Sequence, residues 1–280
     1  MSEWGAFPFG KLNSVRPARR AKKADAVVIG VYPSAWHVRW VAPTHRPAGP
    51  AGGVQALAVD VEPTVFWDGA RDDFGTRLAK WKRDVGFRDG EHGTIASISP
   101  AGNGSSGQKL SSHYLAPLGL SPDNVTFTDV FPVYMAHTRS GSSRGQLDAI
   151  REEYDPLAPA LGFAASTLPD RMSRHELPRV AAERFGARLL EDLAGANPSL
   201  VITLGEEVWA TLQRLPQLRA QPPVTDFDAL KSDSYGAVGS LWLNARRVDW
   251  LPLVHPGLLG RAGEWETLHA AWAVSPKSVL

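Results

Sequence analysis

Leu200-Val201-Ile202-Thr203-Leu204-Gly205-Glu206-Glu207-Val208-Trp209 is the stretch that decides the fold. An apolar run with no alternation reads as a strand buried on both faces, Gly205 marks a tight turn, and Glu206 opens a helical pattern. A strand, a turn and a helix in succession form the repeating unit of an α/β protein. Similar apolar runs bounded by turn residues occur at Ala26 to Ile29, Ala56 to Val59, Val125 to Thr128 and Trp250 to Val254. Helical spacing fills the intervals. Phe74, Leu78, Trp81 and Val85 share one face; Leu177, Val180, Leu189 and Leu193 share another, with Gly186 weakening the middle; Trp265, Leu268 and Trp272 mark a last helix. The expected fold is therefore α/β with a mostly parallel sheet, whose ligands sit beyond the carboxyl ends of the strands.

Composition narrows the chemistry. The chain has 280 residues, 43% of them hydrophobic, ten Trp, and no apolar window as long as a membrane span. It has no Cys, which excludes disulfides, thiolate zinc sites, cysteine nucleophiles and cysteine-ligated iron-sulfur clusters. A net charge of +1 gives no global attraction for a polyanion, so nucleic-acid binding has to be argued locally. Residues 1 to 25 carry Lys11, Arg16, Arg19, Arg20, Lys22 and Lys23. They read as a basic N-terminal arm, either resting on phosphates or tacked to the surface as a solvated tail. Residues 26 to 280 read as a single domain. The start Met1-Ser2-Glu3-Trp4 lacks the pattern of a secretory signal, so the cytoplasm is the expected compartment and a monomer the expected state.

The segments that follow the strands carry the candidate site. The first strand runs into Gly30-Val31-Tyr32-Pro33, where a glycine lets a ligand approach the backbone. The loop Pro100-Ala101-Gly102-Asn103-Gly104-Ser105-Ser106-Gly107-Gln108-Lys109-Leu110 opens a helical pattern through Leu115 and Leu118. It reads as an anion cradle or as a flexible surface loop. The third strand ends at Thr128-Asp129-Val130. The fifth ends at Val254-His255-Pro256-Gly257, which puts an imidazole at the expected crevice, as a functional group or as a structural one.

In order and spacing these segments resemble the uracil-DNA glycosylase superfamily, nearest its thermostable bacterial branch. The likeness rests on Gly30 to Pro33, Gly104 to Leu110, Thr128-Asp129-Val130, Thr203-Leu204-Gly205 and His255-Pro256-Gly257. It implies a three-layer α/β/α domain with about four core strands, DNA as partner, and base excision repair as the setting. The branch usually carries cysteine ligands for an iron-sulfur cluster, and this chain has none, so no cofactor and no metal are expected. Val31 and Tyr32 stand where active members place a polar side chain that positions water. Asp129 stands where the family has a base-reading Asn, and Gly257 where it has Ser.

Cleaving an N-glycosidic bond needs a carboxylate that orients water and a donor facing the departing base. His255 is the candidate donor, assisted by backbone N–H groups at Val31 and Tyr32. Asp60 and Glu62 are the candidate carboxylates, placed on one face by strand alternation unless one of them caps or pairs. Trp67 and its neighbour Phe66 are candidates to stack on an extruded base, or are core. Ser105, Ser106, Lys109 and Arg261 are candidate phosphate contacts. An ionised Asp129 offers acceptors only, so it should disfavour uracil and better suit an edge with adjacent donors, such as guanine's ring N–H and exocyclic amine, or a site where a proton is shared, unless it only caps the following loop. Two functions of different class remain: a repair glycosylase of altered specificity, and a non-catalytic nucleic-acid or nucleotide-binding module on the same fold. They differ in whether a carboxylate faces His255 across the crevice.

Overall fold

The computed structural model describes residues 3–44, 53–69, 74–98, 102–138, 145–231, 234–243, 245–260 and 263–276. Its larger sheet has six strands: β1 (Ala26–Gly30), β5 (Val125–Asp129), β6 (Leu200–Leu204), β7 (Arg219–Gln221), β8 (Gly239–Leu243) and β9 (Arg246–Leu253). They lie in the order β5-β1-β6-β9-β8-β7. The first four run parallel, and β8 and β7 add antiparallel at one edge. Every residue of β1, β5 and β6 is buried, which is why their sequences do not alternate. The fold is thus α/β with a mixed, mostly parallel sheet, compatible with a three-layer α/β/α arrangement.

The helices fall where the apolar periodicity puts them: α1 at Phe74–Val85, α4 at Leu177–Ala196 and α6 at Glu264–Val274. Helix α4 packs on β1 and β5 and against α5 (Glu206–Leu212). Gly186 is the contact point on α4, since a Cβ there would come within 2.6 Å of Leu215 Cδ2. The loop at residue 102 opens α2 (Ser105–Lys109), which widens into a π-helical turn at Leu110–Leu115 and ends at Gly119, where φ is +67°.

The run at Ala56 to Val59 takes a different place from the other four. It lies within β3 (Val54–Val61), which pairs antiparallel with β2 (Ala35–Val41); β4 (Thr94–Ser97) pairs on the far side of β2. This second sheet has its own aromatic core. The Phe9 ring lies 4.8 to 5.6 Å from those of Trp40, Trp81, Phe87, Tyr154 and Phe163, and its backbone N–H donates to Tyr154 Oη.

Phe9 belongs to the segment expected as a basic arm, and the described residues of that segment form a strap across both sheets. Phe7 and Phe9 are buried in the second core, Arg16 is 7% exposed, and Arg19 exchanges both backbone hydrogen bonds with Phe127 of β5. Only backbone on an edge strand has free groups for such an exchange, and β5 is that edge. Arg20 pairs with Asp192, while Lys22 and Lys23 stay exposed. A solvated tail does not describe a segment held in this way. Phe9→Ala is expected to cost about 3 to 5 kcal/mol, because the site is ringed by rigid aromatics that cannot collapse onto the void. Urea unfolding measures it; a loss below about 1 kcal/mol would show that the strap is not part of the core.

Candidate active site

Four parallel strands deliver their carboxyl ends to one crevice. Val31 follows β1, Asp129 closes β5, Gly205 follows β6 and His255 lies two residues beyond β9. A Cβ added at Gly205 would lie 3.5 Å from His255 Cβ and 4.0 Å from Val31 Cγ2, so these three strand ends are immediate neighbours. Between them and α2 opens a cleft of about 400 Å³ whose walls include Val31, Tyr32, Glu62, Ser105, Ser106 and His255. Behind it is a recess of about 20 Å³, where Arg16, Phe66 and Asp129 join Glu62, Ser106 and His255.

His255 is oriented by its own turn. Its Nδ1 accepts the Gly257 N–H at 3.0 Å, so the neutral ring carries its proton on Nε2 and is a donor there. Val254, the residue before it, is held through both its carbonyl and its N–H. Tyr114 Oη donates to Val254 O at 2.9 Å, and Val254 N donates to Tyr235 Oη at 3.2 Å. Tyr235 in turn donates to His269 Nδ1, and His269 Nε2 donates to His113 O. Burial holds His269 neutral, its pKa lowered to about 4, which keeps that chain of donors in one direction.

Of the two carboxylates on the cleft wall, Glu207 lies beside Gly205, its Oε2 3.5 Å from where a Cβ there would be, and Glu62 alone also lines the recess. Glu62 follows β3, its N–H bonds Ser34 O, and its Oε1 accepts the Gly104 N–H at 3.0 Å. Gly104 is left-handed at φ +79°, and a Cβ there would come 2.1 Å from Gly69 N, so only glycine brings that N–H close enough. The small-residue loop therefore spends its first amide on a protein carboxylate. Burial raises the Glu62 pKa from 4.5 to about 7, against the opposing pull of the Gly104 N–H and Arg16, with Asp129 adding to the rise.

Asp60 does not share this position. Strand β3 ends at Val61, so alternation does not carry across to residue 62. Asp60 instead accepts the Val61 N–H and lies 3.8 Å from Lys11, outside the cleft. The two aromatics also separate. Trp67 is buried in the second core with Arg77 over its ring, and does not line the cleft. Phe66, left-handed at φ +51°, turns its ring into the recess against Gly30. A Cβ at Gly30 would meet Phe66 Cζ at 2.8 Å and Asp129 Oδ1 at 2.5 Å, which explains glycine at that strand end.

Asp129 is 3% exposed and its Oδ2 takes a hydrogen bond from Arg16 Nη2 at 2.8 Å; its backbone carbonyl accepts from Arg188. Arg16 also donates to Thr64 O. No motif pointed to Arg16, which lies 113 residues before its partner. Of the expected phosphate contacts, Ser105 and Ser106 line the cleft, whereas Lys109 donates to Leu259 O and ties α2 to the turn after His255. Arg261 lies outside the described residues. At the cleft mouth Arg171 stacks over Tyr32 at 5.3 Å and lies 3.7 Å from Glu207. Burial raises the Tyr32 pKa, so its phenol stays protonated at neutral pH.

Among the described residues there is no cluster of three or more His, Asp or Glu that could hold a metal ion, and no helix long and apolar enough to cross a membrane. No protein-family model matches the chain, and no curated protein matches it.

Proposed function

We propose that the protein is a DNA glycosylase-like hydrolase that takes a flipped base into the cleft and hydrolyses its N-glycosidic bond. The observation that carries this reading is the placing of a buried carboxylate, Glu62, and an oriented imidazole donor, His255, along one cleft at the carboxyl ends of the sheet. In the proposed step water attacks the sugar carbon, the new C–O bond forms as the C–N bond breaks, and ionised Glu62 takes the water proton. His255 Nε2–H faces the negative charge growing on the departing base. Val31 and Tyr32 supply backbone and ring to the cleft rather than a base. The motif likeness to the uracil-DNA glycosylase superfamily supports the same reading and makes DNA the proposed partner.

The test is a panel of oligonucleotides carrying uracil, hypoxanthine, xanthine or alkylated bases, scored for abasic sites. At least one lesion is expected to give product. Binding of every oligonucleotide with product from none would favour the non-catalytic module on the same fold.

A further inference from the structure

We propose that Arg16, delivered by the N-terminal strap, joins Asp129 as a donor–acceptor pair that reads one edge of a planar heterocycle, and that the edge it selects is a ring N–H beside a carbonyl. The proposal rests on the reading of the cleft as a base-binding site. Its basis is the chemistry of the recess. Asp129 uses Oδ2 on Arg16, and its Oδ1 lies at the strand end beside Gly30, where a Cβ would come within 2.5 Å of it. Arg16 uses Nη2 on Asp129 and Nη1 on both Thr64 O and, at 3.5 Å, Glu62 O, and its buried Nε has no partner. A guanidinium carries five N–H groups, so two donors, on Nη2 and Nε, remain after these three contacts. Arg16 and Asp129, joined at 2.8 Å, thus both line the recess, with Phe66 as an apolar neighbour.

A carboxylate alone would turn a carbonyl away, which is the penalty expected from Asp129 taken by itself. Arg16 removes it by offering that oxygen an N–H. Two base edges have a donor next to an acceptor: a lactam, with ring N–H and exocyclic oxygen, and an amidine, with exocyclic amine and ring nitrogen. The pair favours the lactam. A charged acceptor gains most from the more acidic ring N–H, and a guanidinium gains most from the oxygen on which charge gathers as the base departs. At about 20 Å³ the recess admits only that edge, while ring and sugar occupy the outer cleft of about 400 Å³.

The experiment measures binding of free bases, which contain no bond to cleave, so its outcome is independent of hydrolysis. Uracil and hypoxanthine are titrated into the full chain by NMR beside N3-methyluracil and N1-methylhypoxanthine. The methylated pair is expected to bind at least about tenfold more weakly, the equivalent of one lost hydrogen bond. Arg16→Lys keeps the charge against Asp129 but removes the spare fork donors, and is expected to lose about tenfold in lactam binding with little change in melting temperature. Arg16→Met leaves a buried carboxylate unpaired and is not expected to fold well alone. The double variant Arg16→Met with Asp129→Asn supplies donor and acceptor from one carboxamide and is expected to keep lactam binding. Equal binding of methylated and unmethylated bases, full binding by Arg16→Lys, or no binding of either lactam by the wild type would each overturn the proposal. Loss of stability in Arg16→Lys with unchanged selectivity would assign the pair to fastening the strap and overturn it equally.

Discussion

Replacing Glu62 by Gln is expected to make the protein more stable at pH 8 and inactive. In the fold Glu62 ionises at about pH 7 instead of 4.5, so the unfolded chain gives up this proton first as pH rises. Its contribution to stability is fully present below pH 4.5, is lost as pH rises to about 7, and stays lost above that. The integrated difference is on the order of 3 kcal/mol. Gln has the same shape, carries no charge to desolvate, and its carbonyl can still accept the Gly104 N–H. Glu62→Gln should therefore match wild type near pH 4.5 and exceed it by up to about 3 kcal/mol at pH 8, measured by urea unfolding at both values. Activity should move the other way. Only ionised Glu62 can take the water proton, so wild-type kcat should climb about tenfold per pH unit below 7 and level above it, and the variant should lose about 100-fold or more. Equal stability gains at both pH values would show that Glu62 is not held at a raised pKa. Full activity with the expected stability gain would remove it from catalysis.

That arrangement was only partly visible in the sequence, and the visible part has a physical reason. Strands buried on both faces announce themselves as unbroken apolar runs, so β1, β5 and β6 could be read directly, and with them the crevice at their carboxyl ends. His255 could be found because it sits just beyond such a strand. The second sheet was harder to read, since β2 mixes Trp and Val with His37 and Arg39 and contains register shifts against β3. Glu62 and Asp60 could not be ranked by alternation, because that rule stops where the strand stops, at Val61. Phe66 and Trp67 are adjacent aromatics, and only the left-handed backbone at Phe66 decides which of them enters the recess. Arg16 gave no local signal at all. A cation in a basic run is ordinarily solvated, and what buries this one is a carboxylate from β5 that the folded chain brings to it.

The second large effect is expected at His255. The donor role requires a proton on Nε2 in the neutral ring, and the Gly257 N–H secures this by occupying Nδ1 at 3.0 Å. A ring already in the correct tautomer, following a residue, Val254, gripped by Tyr114 and Tyr235, needs no rearrangement in the proposed step, in which charge develops on the leaving base. Removal of one such preorganised donor typically costs about 100- to 1000-fold in turnover. His255→Ala should accordingly lower kcat by about that factor while KM for DNA changes little, since the interaction strengthens only as the bond breaks. The side chain is half-buried at the cleft wall, outside both apolar cores, so thermal unfolding should shift by no more than about 1 kcal/mol. A loss confined to KM would make His255 a binding contact, and turnover within about threefold of wild type, with the fold intact, would show that the departing base needs no donor from this residue.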